Sequence, residues 1–387
     1  MIEKYIRIGL LGFEFKSPNK GCEALTYSFI NILLELFGGY KIKIYNFSNY
    51  TLLGDVPNYF TNVEFEEVSI RRRDLLKLKV KEKLKKCDVV FDVTMGDSFS
   101  DIYSKKSCNY LLDQKKLAEK YSNKYVLLPQ TYGPFYDKIV QKRALNIISR
   151  ANLVLCRDEM SKNFLNKSLP TKSIDVLTDL AFFLPTQKKC ILDENDKIKI
   201  GINVSGLLWR GGFSGSNQFG LKCNYQEYIN TLLQEYTNND IYKLYFIPHV
   251  IKEYNTTADD DYDTIQYLAE KYPNAVLAPK FTNPMEAKGY ISQMDLFIGA
   301  RMHSTIAAFS TGVPVVPFSY SRKFEGLYND YDYEYLINGK ELSTSDAINA
   351  TKTYINNYLE IRNSVNNKQV LISEKKQQLL KFIESIF

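Results

Sequence analysis

The chain has 387 residues, 45% hydrophobic and 24% charged, which is the composition of an ordinary globular protein and excludes a disordered or collagen-like one. At roughly 150 residues per domain, this length predicts two domains. No run of ~18 apolar residues offers a membrane-spanning helix, and the apolar stretch Ile8 to Phe13, followed by Glu14, is too short for a signal peptide, so a cytosolic location is expected.

In chain order, Tyr5 to Leu11 and Lys41 to Phe47 are β-rich runs, and Cys22 to Phe37 between them carries apolar residues at helical spacing. Val63 to Val68, Val89 to Val93, Lys124 to Leu128 and Leu153 to Cys156 repeat the short buried-strand pattern, each followed by polar or helical chain. That rhythm predicts a parallel sheet. The formal charge of +6 is concentrated within this half, since Arg71 to Lys86 holds nine Lys or Arg against two acids, a local +7. Leu75, Leu76, Leu78, Val80 and Leu84 alternate with those charges, so a helix with a basic and an apolar face is expected. It is either a contact for an anionic membrane surface or an ordinary solvated helix over the sheet. No nucleic-acid motif accompanies it.

The polar segment Thr186 to Asp196 reads as a linker, which places one Rossmann-like domain at 1–185 and a second at 197–387. Strand patterns restart with Lys197 to Val204, Lys243 to Ile247, Ala275 to Leu277, Leu296 to Gly299 and Val313 to Phe318, and Ser343 to Phe387 reads as helices. Gly211 and Gly212 lack dinucleotide-binding spacing and suggest a flexible loop through Gly220, with Arg210 a candidate cation. The acidic run Asp259 to Asp263 lacks calcium-loop spacing and reads as a helix start. Cys22, Cys87, Cys108, Cys156, Cys190 and Cys223 form no C-x-x-C pair, which points to reduced thiols and no metal site.

Parallel sheets bind ligands at the carboxyl ends of their strands. The most informative such turn is Leu296 to Lys323, where Arg301 and His303 follow a buried strand, and Ser319, Tyr320 and Lys323 follow the next one. A guanidinium, an imidazole and the free N–H groups of a helix N-terminus suit a phosphate or carboxylate. The bland alternative has Arg301 pairing with an acid and His303 capping the helix. The other histidine of the chain, His249, follows Tyr245-Phe246-Ile247-Pro248 at another strand end and is a second binding candidate.

The string GARMHSTIAAFSTGVPVVPFSYSRK resembles the signature segment of the polysaccharide pyruvyl transferase family, and NKGCEAL, GDSFSD, PQTYGPF and CRDEMS stand before it in family-like order. The resemblance spans about Ile6 to Gly326. It implies a fold like that of GT-B glycosyltransferases, two Rossmann-like parallel-sheet domains facing a cleft with C-terminal helices. It also implies phosphoenolpyruvate as donor, a glycan or lipid-linked saccharide as acceptor, a cyclic ketal as product and no required cofactor. Carried over, Arg301, Met302 and His303 fall on the donor-phosphate motif, Lys323 on the basic position after the next strand, and Arg157 on the arginine of R-D-x-x-S. Asn19 and Gly21 either bring backbone to substrate or form a capped loop, and Asp97, Asp101 and Glu23 are candidate bases from the first domain, with Asp97 alternatively capping the helix that follows. The family's consecutive glycines in the GDSFSD region are reduced here to Gly96.

Ketal formation needs a proton at the methylene carbon, a base for the attacking hydroxyl and help to departing phosphate. A neighbouring dianion favours a protonated imidazole, which makes His303 the expected acid. One rival is a glycosyltransferase of the same fold with a nucleotide-sugar donor. Such enzymes often place a ribose-binding Glu five residues before the Gly of G-x-P, where Ala307 stands here. The other is a non-catalytic sugar-binding or membrane-associated assembly protein.

Overall fold

The computed structural model describes residues 5–49, 53–75, 77–102, 104–192, 196–252 and 259–387. Thirteen strands among them form two wholly parallel sheets. The first has seven: β1 (Tyr5–Leu11), β2 (Lys41–Ser48), β3 (Val63–Ser69), β4 (Val89–Asp92), β5 (Tyr125–Gln130), β6 (Leu153–Cys156) and β7 (Asp175–Val176). Their spatial order is β3-β2-β1-β4-β5-β6-β7. The second has β8 (Ile198–Asn203), β9 (Tyr242–Phe246), β10 (Val276–Leu277), β11 (Leu296–Gly299), β12 (Val315–Ser319) and β13 (Ile337–Asn338), in the order β10-β9-β8-β11-β12-β13. Every residue of β4, β5, β11 and β12 is buried, which is why these strands read as continuous apolar runs and not as alternating ones.

Each sheet reverses its direction of growth once, between β1 and β4 in the first and between β8 and β11 in the second. Those reversals open crevices at the strand carboxyl ends, where ligands bind in this architecture. Arg301 and His303 follow β11, and Gly96 and Asp97 follow β4, so the sequence candidates stand at the two reversal points.

By internal contacts the chain divides into two compact units, and the division is not a single cut near residue 186. One unit takes residues up to Ser17, Leu25–Leu180 and Glu374–Phe387; the other takes Pro18–Ala24 and Ala181–Ser373. The C-terminal segment joins the first unit through specific contacts: Phe387 lies 4.6 Å from the Phe37 ring, Lys376 pairs with Glu35, and Lys375 Nζ donates to Leu177 O. Residues 18–20 run antiparallel to 249–251 within the second unit, with Lys20 N donating to His249 O and Ile251 N to Pro18 O.

The segment read as a linker lies along the helix Pro284–Ile291, where Gln187 N donates to Met285 O and a Cβ on Gly289 would come within 2.3 Å of Gln187 O. Its residues 193–195 are outside the described ones.

The basic segment forms the helix Leu78–Lys86, but its apolar face is spent on the protein's own core. Leu75, Val80 and Leu84 are buried in the cluster that contains Phe47 and Ile70, Leu78 is exposed, and Leu76 is outside the described residues. Lys83 pairs with Glu66, Lys77 with Asp74, and Lys81 lies over the Tyr121 ring. Among the described residues of this segment, Leu75, Val80 and Leu84 are packed into the core, and Leu78 alone of its apolar side chains is exposed beside the basic charges. No helix among the described residues is long and apolar enough to cross a membrane.

None of the six cysteines is in a disulfide; four are buried, Cys22 is half-buried and Cys190 is exposed. No group of acidic, His or Cys side chains among the described residues could hold a metal ion.

Candidate functional site

In the second unit, β8 ends at Asn203, whose buried amide ties the reversal point together. Its Oδ1 accepts from Arg301 N at 3.0 Å, and its Nδ2 donates to Ile247 O and to Asp261 Oδ2. Arg301, 8% exposed, precedes the helix Met302–Phe309. Its Nε lies 3.1 and 3.3 Å from the two carboxylate oxygens of Asp261, its Nη2 lies 2.8 Å from Oδ1, and Nη2 also binds Asp259. Asp261 is fully buried and accepts the backbone N–H groups of Gly206, His249 and Val250 as well. Burial alone would raise its pKa, but the Arg301 guanidinium and these donors hold it below the ordinary carboxylate value. Burial likewise opposes the Arg301 charge, and Asp261 and Asp259 overcome it, so the guanidinium stays protonated.

The acidic run thus begins the helix Asp261–Lys271, as its sequence suggests, and also supplies the counter-ions of Arg301. Sequence reasoning missed Asp259, Asp261 and Asn203. The available signal was physical: an arginine expected in a crevice needs a carboxylate, because a lone buried charge is strongly unfavourable.

His303 occupies the first turn of the helix Met302–Phe309 and is half-buried. His249 is 3% exposed, and neither ring nitrogen has a hydrogen-bond partner among the described residues. Burial, then the neighbouring His303, with Arg301 and Lys20 in support and Asp261 opposing, push its pKa down to about 3. It is a neutral imidazole at physiological pH.

The residue 18–20 segment brings Gly21 against His303 so closely that a Cβ there would lie 2.2 Å from His303 Nδ1. Asn19 Oδ1 accepts the Gly21 N–H at 3.0 Å and fixes this approach. Glu23 follows in the same unit, ion-paired to Lys20 at 2.8 Å and 4% exposed. The expectation that Asn19, Gly21 and Glu23 belong to the first domain is corrected by this packing.

The remaining candidates of the second unit sit at the end of β12 and in the loop after β8. Ser319 is buried and donates to Ser321 O, and Tyr320 packs edge-on against Phe219. Lys323 is half-buried in the first turn of the helix Arg322–Asn329. Arg210 pairs with Asp263, so its charge is compensated.

In the first unit, the chain leaves β4 through a left-handed turn: Thr94, Met95 and Gly96 have φ of +44°, +53° and +82°. Glycine adopts this region freely, whereas Thr and Met are strained there by roughly 1–3 kcal/mol each. Buried Asp92 holds the turn, accepting from Thr94 N and Thr94 Oγ1, and buried Lys115 pairs with Asp92 at 2.7 Å while also contacting Thr94. This clamp accounts for how the chain keeps the loop shape with only Gly96 of the expected glycines.

Gly96 borders Arg157, with its Cβ position 3.2 Å from Nη1. Arg157 is 3% exposed and engages Asp179 at 2.9 Å and Thr131 Oγ1 at 2.7 Å, a buried ion pair within the unit. Asp97 is half-buried beside this group, and the following helix is capped by Ser104 and not by Asp97. The Asp101 carboxylate accepts the backbone N–H groups of Tyr136 and Asp137 and so holds the turn after β5.

Two wholly parallel α/β units with these strand orders define the GT-B class of fold, and solved structures share it along the whole chain. S. aureus MnaA bound to UDP aligns with TM-score 0.61 at 12% identity, covering 99% of this chain and 98% of that one. Anabaena HepE in complex with UDP aligns with TM-score 0.58 at 11% identity, covering 99% and 100%. Sucrose-phosphate synthase from Thermosynechococcus elongatus gives 0.56 at 9% identity, covering 99% of each. No curated relative matches the chain. Residues 19–322 match the polysaccharide pyruvyl transferase family, and the chain belongs to it. The matched span opens at Asn19 and closes one residue before Lys323.

Proposed function

We propose that this protein transfers the pyruvyl group of phosphoenolpyruvate to a pair of sugar hydroxyls, as a cyclic ketal, in a surface polysaccharide or its lipid-linked precursor. The supporting observation is the fixed guanidinium of Arg301 beside the imidazoles of His303 and His249 at the β8/β11 reversal point, inside the family-matched span. In this reading the methylene carbon takes a proton and becomes a methyl group. One sugar oxygen adds to the central carbon, a second displaces phosphate, and of the two hydroxyl protons one balances that taken by carbon while the other leaves with phosphate. His303 supplies the first proton and Arg301 steadies the phosphate.

Arg301 is already charge-compensated, so the remaining anionic charge of the donor calls for further cations, with Lys323 the candidate at the end of β12. A nucleotide-sugar reading is disfavoured because Ala307 is buried and uncharged where a ribose-binding carboxylate would stand.

Phosphoenolpyruvate is expected to raise the melting temperature, by about 2.7 kcal/mol of added stability at a hundredfold excess over Kd, while uridine diphosphate glucose is not. Turnover with a panel of saccharide acceptors then gives released phosphate and a heavier glycan. Stabilisation by the nucleotide sugar and none by phosphoenolpyruvate would replace this reading with the glycosyltransferase one.

Gly21→Ala gives a second test. The added methyl must displace the His303 ring, and a shift of this size costs on the order of 100-fold in rate when the ring takes part in chemistry. Wild-type turnover in a folded Gly21→Ala protein would remove His303 from the reaction.

A further inference from the structure

The loop after β8 borders a half-open pocket of about 430 Å³ that none of the assigned chemistry uses. We propose that it binds a pyranose ring, the neutral sugar of the acceptor; the acceptor role rests on the reading above, while the binding does not. Its lining includes Trp209, the single tryptophan of the chain, together with Phe219, Lys222, Asn224 and Gln226. The volume falls in the range of small-ligand sites, and an aromatic surface with a few neutral donors and acceptors is what such sites present to a ring with apolar C–H faces and equatorial hydroxyls.

The polar groups are only partly used. Gln226 Nε2 donates to Trp209 O and leaves Oε1, Asn224 Oδ1 accepts from Glu227 N and leaves Nδ2, and the Trp209 indole N–H and the Lys222 ammonium engage no described residue. A neutral ligand suits the charges better than a diphosphate, because Arg210 is neutralised by Asp263 and Lys222 is the one lining cation without an acidic partner among the described residues.

The wall is built in advance. Both ends of the Asn217 amide bind the Leu221 backbone, Gly212 N donates to Leu207 O, and Lys222 N and Cys223 N donate to Gly339 O. Gly212, at φ +90°, is in a conformation open to glycine, and a Cβ there would meet the Gln218 side chain at 2.6 Å. A preformed cavity spends little ordering entropy on a weak ligand.

Its place in the fold connects it to Arg301. Asp261, which grips the guanidinium, also accepts the N–H of Gly206 at the start of the turn of helix that ends in Trp209. On the other side Phe219 meets Tyr320, whose phenol is among the groups that act on the Arg301 charge.

Because Trp209 is the only indole, the tryptophan fluorescence of the protein arises at this pocket. Titration with methyl pyranosides of galacto, gluco and manno configuration is expected to give a saturable change for at least one of them. Gln226→Ala, at an exposed position, is expected to raise the half-saturation point about tenfold, the loss of one hydrogen bond of ordinary strength. Trp209→Phe, followed by calorimetry, is expected to weaken binding of the same sugar. Phosphoenolpyruvate alone is expected to leave the emission unchanged.

No response to any pyranoside, equal sugar affinity in wild type and both variants, or a response to uridine diphosphate in place of sugars would each overturn the proposal. Failure of the donor reading is separable: a sugar response without thermal stabilisation by phosphoenolpyruvate keeps the cavity and discards pyruvyl transfer, and the reverse outcome discards the cavity alone.

Discussion

Asp261→Asn is expected to lower the stability of the protein by about 3–5 kcal/mol, the cost of leaving a buried cation without its counter-ion. The Asn side chain keeps one acceptor oxygen, which can serve either Gly206 N or the pair His249 N and Val250 N, so the loss combines the charge with part of the hydrogen-bond network. Asp259, partly exposed, compensates only in part. Adding Arg301→Met to the same chain removes the stranded guanidinium and is expected to recover much of the stability, since a buried ion pair replaced on both sides is often nearly neutral. Turnover should stay absent in the double variant. Urea unfolding midpoints paired with phosphate-release rates check this, and recovered stability accompanied by recovered turnover would show that Arg301 is only a structural ion pair. The pair also changes how Arg301→Ala must be read, because that single variant strands a fully buried carboxylate and confounds folding with function.

The second large effect concerns the two imidazoles. His249, held neutral down to about pH 3 by burial and its cationic neighbours, has no proton to give at pH 7. His303 is therefore the acid of the pair in the proposed reaction. His303→Asn keeps a hydrogen-bonding group on the first helical turn but cannot be protonated. It is expected to bind phosphoenolpyruvate within about tenfold of wild type and to lose at least ~100-fold in turnover, the usual contribution of general acid catalysis. His249→Gln, neutral like the residue it replaces, is expected to keep turnover within about tenfold. Equal losses of affinity and turnover in His303→Asn would make that residue a phosphate ligand and not the acid. Wild-type behaviour in both variants would remove the histidines from the site.

The strands were legible because each buried one is a short apolar run, whereas their spatial order, and with it the two reversal points, came only from the structure. The two-residue strands β7 (Asp-Val) and β13 (Ile-Asn) contain no apolar run, unlike the equally short β10 within Ala275 to Leu277, so nothing in the sequence announced them. Arg301 and His303 were legible from their position after β11. Asp261 was not, because an acidic residue at a helix start is locally sufficient to explain itself, and its ion pair joins positions 40 residues apart. For the same reason the side of the molecule on which Asn19, Gly21 and Glu23 lie could not be read: the antiparallel contact of Asn19 with Val250 is a property of two distant segments, each unremarkable alone. Thr94 and Met95 mark the opposite case, where the residues argue against the left-handed turn and a buried Asp92–Lys115 clamp imposes it.

The interleaving of the two units has a consequence for synthesis. Multidomain chains commonly fold from the N-terminus as they leave the ribosome. Here the first sheet is complete in sequence by Val176, yet the segment that lays Phe387 against Phe37 and Lys376 against Glu35 is made only after the whole second sheet. The early segment from Pro18 to Ala24, in turn, has no partner strand until His249, Val250 and Ile251 have emerged more than two hundred residues later. During synthesis the first sheet thus carries an unfilled surface, and the Pro18 to Ala24 segment an unpaired edge, until those distant partners have emerged.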